Sequence, residues 1–237
     1  MALPLQPEGG MAAARAAPRQ TPFSAAMHQL AALREPACLL DAEGVVLYVN
    51  DAWDRFASEA GGFPRTSSSG VVGSRWLDGI QGEDPRRVHA VLLHRAMRRS
   101  GNGRGGAVLH TSEANDAEHA RLVATRLEAI GSPGGGLAAV AVIHRTVRDL
   151  PLAEVYPPVD GDGASHRAPD GTWEQCGCCR RTLRPDGSEE WDFVTALVAA
   201  PPPATRFVYC PLCLELHCPG GPGLDGPDGL RGREQVD

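Results

Sequence analysis

The sequence predicts an α+β fold: five strands in one antiparallel sheet with helices over one face, followed by a small cysteine-bearing module. Three observations predict it. Over residues 24–148 the local patterns run helix, two strands, short helix, irregular turns, longer helix, three strands. Tight-turn sequences, Asp41-Ala42-Glu43-Gly44 and Ser132-Pro133-Gly134-Gly135, join neighbouring strands and favour antiparallel pairing. After a stretch rich in Pro, Gly and Asp come two C-x-x-C pairs.

Taken in order, residues 1–23 read as a disordered Ala/Pro/Arg arm. Ser24 to Glu35 reads as a helix with Ala25, Met27, Leu30 and Leu33 as apolar positions, Ser24 as cap and Pro36 as stop. Ala37–Leu40 and Val45–Val49 read as strands about a turn that Asp41 starts and Gly44 closes. Asn50 or Asp51 caps a short helix over Ala52–Ala60. Gly61–Gly70 is a polar loop, and Val71–Ile80 is irregular or a short helical turn. Glu83-Asp84-Pro85 opens a helix to about Arg99, with acids at its start, arginines at its end and Gly101 beyond. Gly106–Thr111, Ala120–Ile130 and Gly136–Val147 read as strands. Residues 149–171 read as a linker, 172–218 as the cysteine module and 219–237 as a disordered tail.

Composition narrows the function classes. The formal net charge of −6 argues against general nucleic-acid binding, which needs a basic face. No stretch approaches the ~20 apolar residues of a membrane span. Residues 1–23 lack the apolar core of a secretory signal, so the expected compartment is the cytoplasm. In that setting seven cysteines point to metal or redox chemistry before disulfides.

The cysteines are Cys176-Gly-Cys178-Cys179, 30 further residues, then Cys210-Pro-Leu-Cys213. A two-residue spacing lets both sulfurs reach one metal from a tight turn, and two such knuckles complete a tetrahedron. Cys176, Cys179, Cys210 and Cys213 are therefore the expected ligands of one structural zinc ion in a zinc-ribbon-like module. Cys178, His217 and Cys218 are surplus, and each is an alternative ligand. Between the knuckles, Ser188 is expected to cap a helix over Glu189–Ala199 with Trp191, Val194 and Leu197 on one face. Phe207-Val208-Tyr209 is expected to be a strand. So small a piece has little core of its own, and zinc would supply its folding free energy.

The run Leu40-Asp41-Ala42-Glu43-Gly44-Val45-Val46-Leu47-Tyr48-Val49-Asn50-Asp51-Ala52-Trp53 resembles the opening of the PAS sensor domain. Gly73-Ser74-Arg75-Trp76-Leu77 and Ala139-Val140-Ala141-Val142-Ile143-His144-Arg145 resemble later PAS steps, so the likeness covers roughly residues 25–148. It implies a domain that binds a small molecule between sheet and helices, or that dimerises and relays signals. Flavin photochemistry needs a cysteine on a short helix; Cys38 lies on the first strand and reads as a small buried hydrophobe. Haem binding would use a histidine on the long helix, and His89 falls in that helix's apolar sector. The plainer reading of His89 is a core histidine bonded to backbone, with Trp53 and Trp76 as core. These three are the candidate pocket residues, and haem and flavin are not expected.

The cysteine segment also resembles a tail of bacterial PAS sensor proteins, through Cys176, Cys179, Trp191 and Cys210-Pro211-Leu212-Cys213. Where that tail carries a histidine before its last pair, this chain has Arg206-Phe207-Val208-Tyr209. Only the four cysteines carry over.

No P-loop, G-x-S-x-G or H-E-x-x-H occurs, and a closed four-cysteine site leaves no open position for hydrolysis. The expectation is a non-enzymatic signalling protein, as in two-component networks, that senses a ligand or contacts protein partners or a second copy of itself. One alternative is a zinc-ribbon regulator touching DNA through Arg180, Arg181 and Arg184, with Glu189, Glu190 and Asp192 counting against it. Another is a switch in which thiol oxidation releases zinc.

Overall fold

A computed structural model describes residues 21–59, 66–101, 106–132, 136–159, 161 and 163–218. Most of the expected arm, the expected tail and the Pro133–Gly135 turn lie outside the described residues.

Helix α1 (Pro22–Ala31) starts earlier than expected, because Thr21 rather than Ser24 caps it. Thr21 Oγ1 accepts from the Ser24 amide at 3.2 Å, and Pro22 takes the first helical position, where its missing N–H costs nothing. Strands β1 (Ala37–Leu40) and β2 (Val46–Val49) follow, joined by the Asp41 turn. Asp41 Oδ1 accepts from the Glu43 and Val45 amides at 2.9 and 2.8 Å, and Gly44 takes φ +79°.

Asn50 lies between β2 and helix α2 (Asp51–Glu59), 1% exposed. Its Oδ1 accepts from the Ala37 and Trp53 amides, each at 3.0 Å. Its Nδ2 donates to the carbonyls of Leu30 and Glu35 at 3.0 and 2.9 Å. One side chain thus caps α2 and ties the end of α1 to β1.

Short helix α3 (Ser68–Val71) and a 3-10 turn (Trp76–Gly79) fill the irregular stretch before α4 (Glu83–Gly101). Then come β3 (Val108–Glu113), β4 (His119–Gly131) and β5 (Leu137–Pro151). The five strands form one antiparallel sheet in the order β2-β1-β5-β4-β3.

Strand parity sorts the core. Cys38 and Leu40 of β1, with Val140 and Val142 of β5, pack against Val88, Leu92 and Ala96 of α4. Those three recur every four residues and share one helix face. Ala37, Leu39, Ala139 and Ala141 point the other way and are covered by Ala26 and Leu30 of α1. The principal helix, α4, lies on one face, and among the described residues α1 covers the reverse. This is why β1 is buried at every position.

Among its described residues, the segment expected to be a linker carries secondary structure. It holds the end of β5, α5 (Leu152–Val155), β6 (Pro158–Val159) and a 3-10 turn (Ala164–His166). β6 pairs with β9 (Trp191–Val194), and His166 Nε2 meets Asp192 Oδ2 at 2.8 Å. Long-range partners impose order on a loop-like composition. With β7 (Trp173–Cys176), β8 (Thr182–Leu183) and β10 (Thr205–Val208), these strands form a second sheet, β10-β7-β8-β9-β6.

The helix expected over Glu189–Ala199 is a strand followed by one turn, α6 (Thr195–Ala199). Glu189 sits at φ +57°, and Asp192 and Trp191 pair with Thr182 and Leu183. Pairing with β8 overrides a spacing that also fits a helix. Ser188 closes a turn on Asp186 Oδ1 at 2.9 Å instead of capping a helix. Helix α7 (Pro211–His217) ends the described chain.

Candidate metal centre

The first knuckle hangs between two strands. Cys176 ends β7, its amide donates to the Arg181 carbonyl at 2.7 Å, and the Gly177 amide donates to the Val208 carbonyl at 2.8 Å. Arg180 takes φ +68° and its amide returns to the Cys176 carbonyl at 3.1 Å, closing the turn. The second knuckle begins where β10 passes into α7. Cys210 is the cap, Pro211 the first helical residue, and the Leu214 amide bonds to the Cys210 carbonyl at 2.8 Å. The parallel pairing of β10 with β7, Val208 opposite Cys176, brings the knuckles together.

Cys176, Cys179, Cys210 and Cys213 are buried, and their sulfurs all lie within 4.8 Å of one another. Cys179 Sγ and Cys210 Sγ are 3.6 Å apart. A tetrahedral site with Zn–S bonds of about 2.3 Å has sulfur–sulfur edges of about 3.8 Å, whereas a disulfide bond is about 2.05 Å. The spacing fits a shared ion and excludes disulfides. Hydrogen bonds from Cys179, then Cys210 and Cys213, hold the Cys176 thiol far below its usual value. Cys179 and Cys213 are pushed up, in each case first by their bond to Cys176. Cys210 is lowered as well, the opposing bond to Cys176 being outweighed by those to Cys179 and Cys213, and a cation that replaces the protons of this cluster relieves the crowding. The cluster can hold a metal ion.

Of the three surplus residues, two approach this site. Cys178 Sγ lies 3.3 Å from His217 Nε2, and Cys178, Cys213 and His217 form a second group with ligand atoms within 4.8 Å. Cys213, then His217, lower the Cys178 thiol to about 6 against the opposing effect of burial. Cys178 is also 3.4 Å from the Glu113 carbonyl. Cys218 caps the end of α7; it is buried, its thiol is raised by that burial, and it joins neither group.

The module is not a separate body. The cysteines belong to the same apolar cluster as Leu40, Val88, Leu92 and Val142. Arg180 Nη1 donates to Gln81 Oε1 at 2.8 Å, Asn115 Nδ2 donates to the Cys179 carbonyl at 3.1 Å, and Tyr156 OH donates to Glu113 Oε1 at 2.8 Å. At Gly82 (φ +90°) an added Cβ would lie 2.5 Å from the Phe207 carbonyl oxygen. At Gly177 an added Cβ would meet the Gln81 oxygen and Pro85 Cγ, each at 2.9 Å. A second apolar seam joins Ala120 and Leu152, at the far end of the β4–β5 hairpin, to Phe193.

The candidate pocket residues divide. Trp76 and His89 meet edge to face at 5.5 Å, and His89 Nδ1 lies 2.8 Å from the Pro85 carbonyl, to which it donates. Trp53 instead donates to the Thr66 carbonyl at 2.6 Å and faces His144 at 5.8 Å. Burial lowers the pKa of His89. Sequence reasoning passes over His110 and His144, which share this interior. His110 lies between His89 at 5.7 Å and His217 at 4.9 Å. His144 Nδ1 lies 3.0 Å from Thr125 Oγ1. Burial lowers His110 to about 3 and His144 to about 4. Strand parity is the signal that finds them: His110 has the parity of buried Val108, and His144 that of buried Val142.

No protein-family model matches the chain, and no curated protein matches it significantly. Among solved structures, it is similar to the PAS domain of BvgS from Bordetella pertussis, at 13% identity over 53% of this chain and 84% of that one, TM-score 0.35. It is similar to the PAS domain of a Colwellia psychrerythraea protein, at 10% identity over 53% and 96%, TM-score 0.37. It is also similar to a sensory box sensor histidine kinase from Vibrio cholerae, at 14% identity over 53% and 88%, TM-score 0.33. The fold stands on the strand pairing itself: α+β, with a PAS-like antiparallel sheet and a small cysteine module packed against it.

Proposed function

We propose that the chain is a non-enzymatic sensory or signalling protein. Its PAS-like interior takes up a ligand or supports protein contacts, and a structural zinc ion on Cys176, Cys179, Cys210 and Cys213 holds the surface that passes the state on. The observation that carries this reading is the continuous core joining the cysteine cluster to β1, β5 and α4. A change in the PAS-like interior is felt at the knuckles without a linker between them. No helix among the described residues is long and apolar enough to cross a membrane.

The three arginines of the DNA-binding alternative have other partners. Arg180 bonds Gln81 and lies over Phe207 at 5.4 Å; Arg181 lies over Tyr156 at 4.8 Å; Arg184 bonds Asp192 and Glu190. Hydrogen exchange with and without metal tests the proposal. Removing zinc is expected to speed exchange in α4 and β3 as well as in the module. Unchanged exchange in α4 and β3 would mean that the two regions act independently and would sink the relay.

A further inference from the structure

We infer that the chain holds a second zinc ion beside the first, bound by Cys178, His217 and Cys213, with the Cys213 thiolate bridging the two metals. This rests on the four-cysteine reading, because Cys213 serves both sites.

Geometry is the first support. Cys178, Cys213 and His217 are buried with ligand atoms within 4.8 Å of one another. The Cys178 sulfur and His217 Nε2 are 3.3 Å apart. A tetrahedral zinc with a sulfur at about 2.3 Å and a nitrogen at about 2.05 Å has an S···N edge of about 3.6 Å. The local fold explains how three residues from two knuckles converge. Cys178 sits inside the first turn, and Cys213 and His217 are four apart on α7, hence on one face of that helix.

The second support is an orphan. His110 Nε2 is buried and has no hydrogen-bond partner. Buried polar atoms are almost always paired, so a lone pair left in this state needs an explanation. The His110 ring is 4.9 Å from that of His217, so this unpaired nitrogen sits at the border of the Cys178–Cys213–His217 group, where a cation would offset it. Beyond it, His89 has Nδ1 on the Pro85 carbonyl, which fixes its tautomer and bounds the site on the α4 side.

The third support is charge. One zinc on four thiolates leaves about −2 in a buried site, and burying net charge is costly. A second Zn2+ adds two positive charges and releases one more proton, from Cys178. Five thiolates, one neutral imidazole and two zinc ions sum to about −1.

The test is the zinc content of the full chain, reconstituted anaerobically with excess zinc and cleared of loosely held ion by gel filtration. The expected result is two zinc per chain in the natural sequence and one in Cys178→Ser/His217→Gln, with far-UV circular dichroism unchanged. One zinc per chain in the natural protein would overturn the second site and leave the four-cysteine reading standing. A double variant that binds none would also overturn it, by assigning Cys178 and His217 to the primary ion. No zinc in the natural protein would sink both readings.

Discussion

The two halves of this molecule close their interiors by different means. The PAS-like half has enough chain to bury apolar side chains on both faces of its sheet. Its buried Asn50 is fully satisfied, while His110 Nε2 is left unpaired beside the cysteine half. The cysteine half has short strands, two of them only two residues long, and its centre is sulfur. Burial stabilises in proportion to apolar area, about 25 cal/mol per Å2, and a module of this size has little of it. On the proposed reading, a metal ion held by the cysteines replaces that missing area with coordinate bonds. The difference then makes the second half conditional on its metal, while it shares a wall with a half that is not.

The sharpest way to break that contrast is to remove the ligands. In Cys176→Ser/Cys213→Ser the module is expected to lose its fold, because structural zinc contributes on the order of 10 kcal/mol in comparable small domains. Trp173 and Trp191 lie on module strands, so near-UV circular dichroism should collapse. The sheet should survive with reduced stability, since it loses the cysteine side of its core. A variant with wild-type spectra and an unaltered melting temperature would show that metal supplies nothing to the fold.

The opposite test weakens the first half alone. Asn50→Ala removes the side-chain partners of the buried Ala37 amide and the Glu35 carbonyl, while the Trp53 amide and the Leu30 carbonyl keep backbone partners in the Asn50 carbonyl and the Leu33 amide. Losing these two bonds in a buried place costs roughly 2–4 kcal/mol. Urea denaturation should show a lowered midpoint with bound zinc unchanged at moderate denaturant. Loss of zinc together with the sheet would mean that the halves fold as one unit.

The seam between the halves can be probed with a pair of glycines. Gly73 (φ +86°) has open space where a Cβ would go, whereas Gly82 (φ +90°) faces the Phe207 backbone at 2.5 Å. Ala at either position bears the left-handed strain of about 1 kcal/mol. Gly82→Ala must in addition push β10 off α4, for a total of about 2–3 kcal/mol. Thermal melts of the two variants should differ accordingly, and equal destabilisation would remove the seam from the argument.

How much of this is legible in the sequence follows from the range of the forces. The knuckle cysteines are legible because a C-x-x-C turn is local and metal geometry does the rest. The Asp41–Gly44 turn and the sheet strands are legible for the same reason. The Glu189–Ala199 segment misleads because Trp191, Val194 and Leu197 fit a helix face, while the deciding interaction is pairing with Thr182 and Leu183. The expected linker misleads because β6 is held by β9 and His166 by Asp192, partners about 30 residues away. His110 and His144 are within reach by parity, but a histidine among arginine-rich strands carries no apolar signal of its own.

The smallest expected effect isolates one of these histidines. His144 lies on β5, with Thr125 of β4 at its Nδ1, Trp53 of α2 against its ring and His89 of α4 opposing its charge. Burial first, then His89, depresses its pKa from 6.5 to about 4. In the unfolded chain the ring takes up a proton as pH falls through 6.5, while the folded ring stays neutral down to about 4. Unfolding therefore gains protons across that window. The stability associated with neutral His144 is complete above pH 6.5, declines as pH falls and is lost by about pH 4. The loss between pH 7 and pH 5 is on the order of 1 kcal/mol. His144→Gln removes this titration and leaves the cysteines untouched, so acid release of metal affects both proteins alike. Urea midpoints at pH 7 and pH 5 should fall further for the natural chain than for His144→Gln. Parallel declines would place His144 in an environment open to water and remove it from the sealed interior.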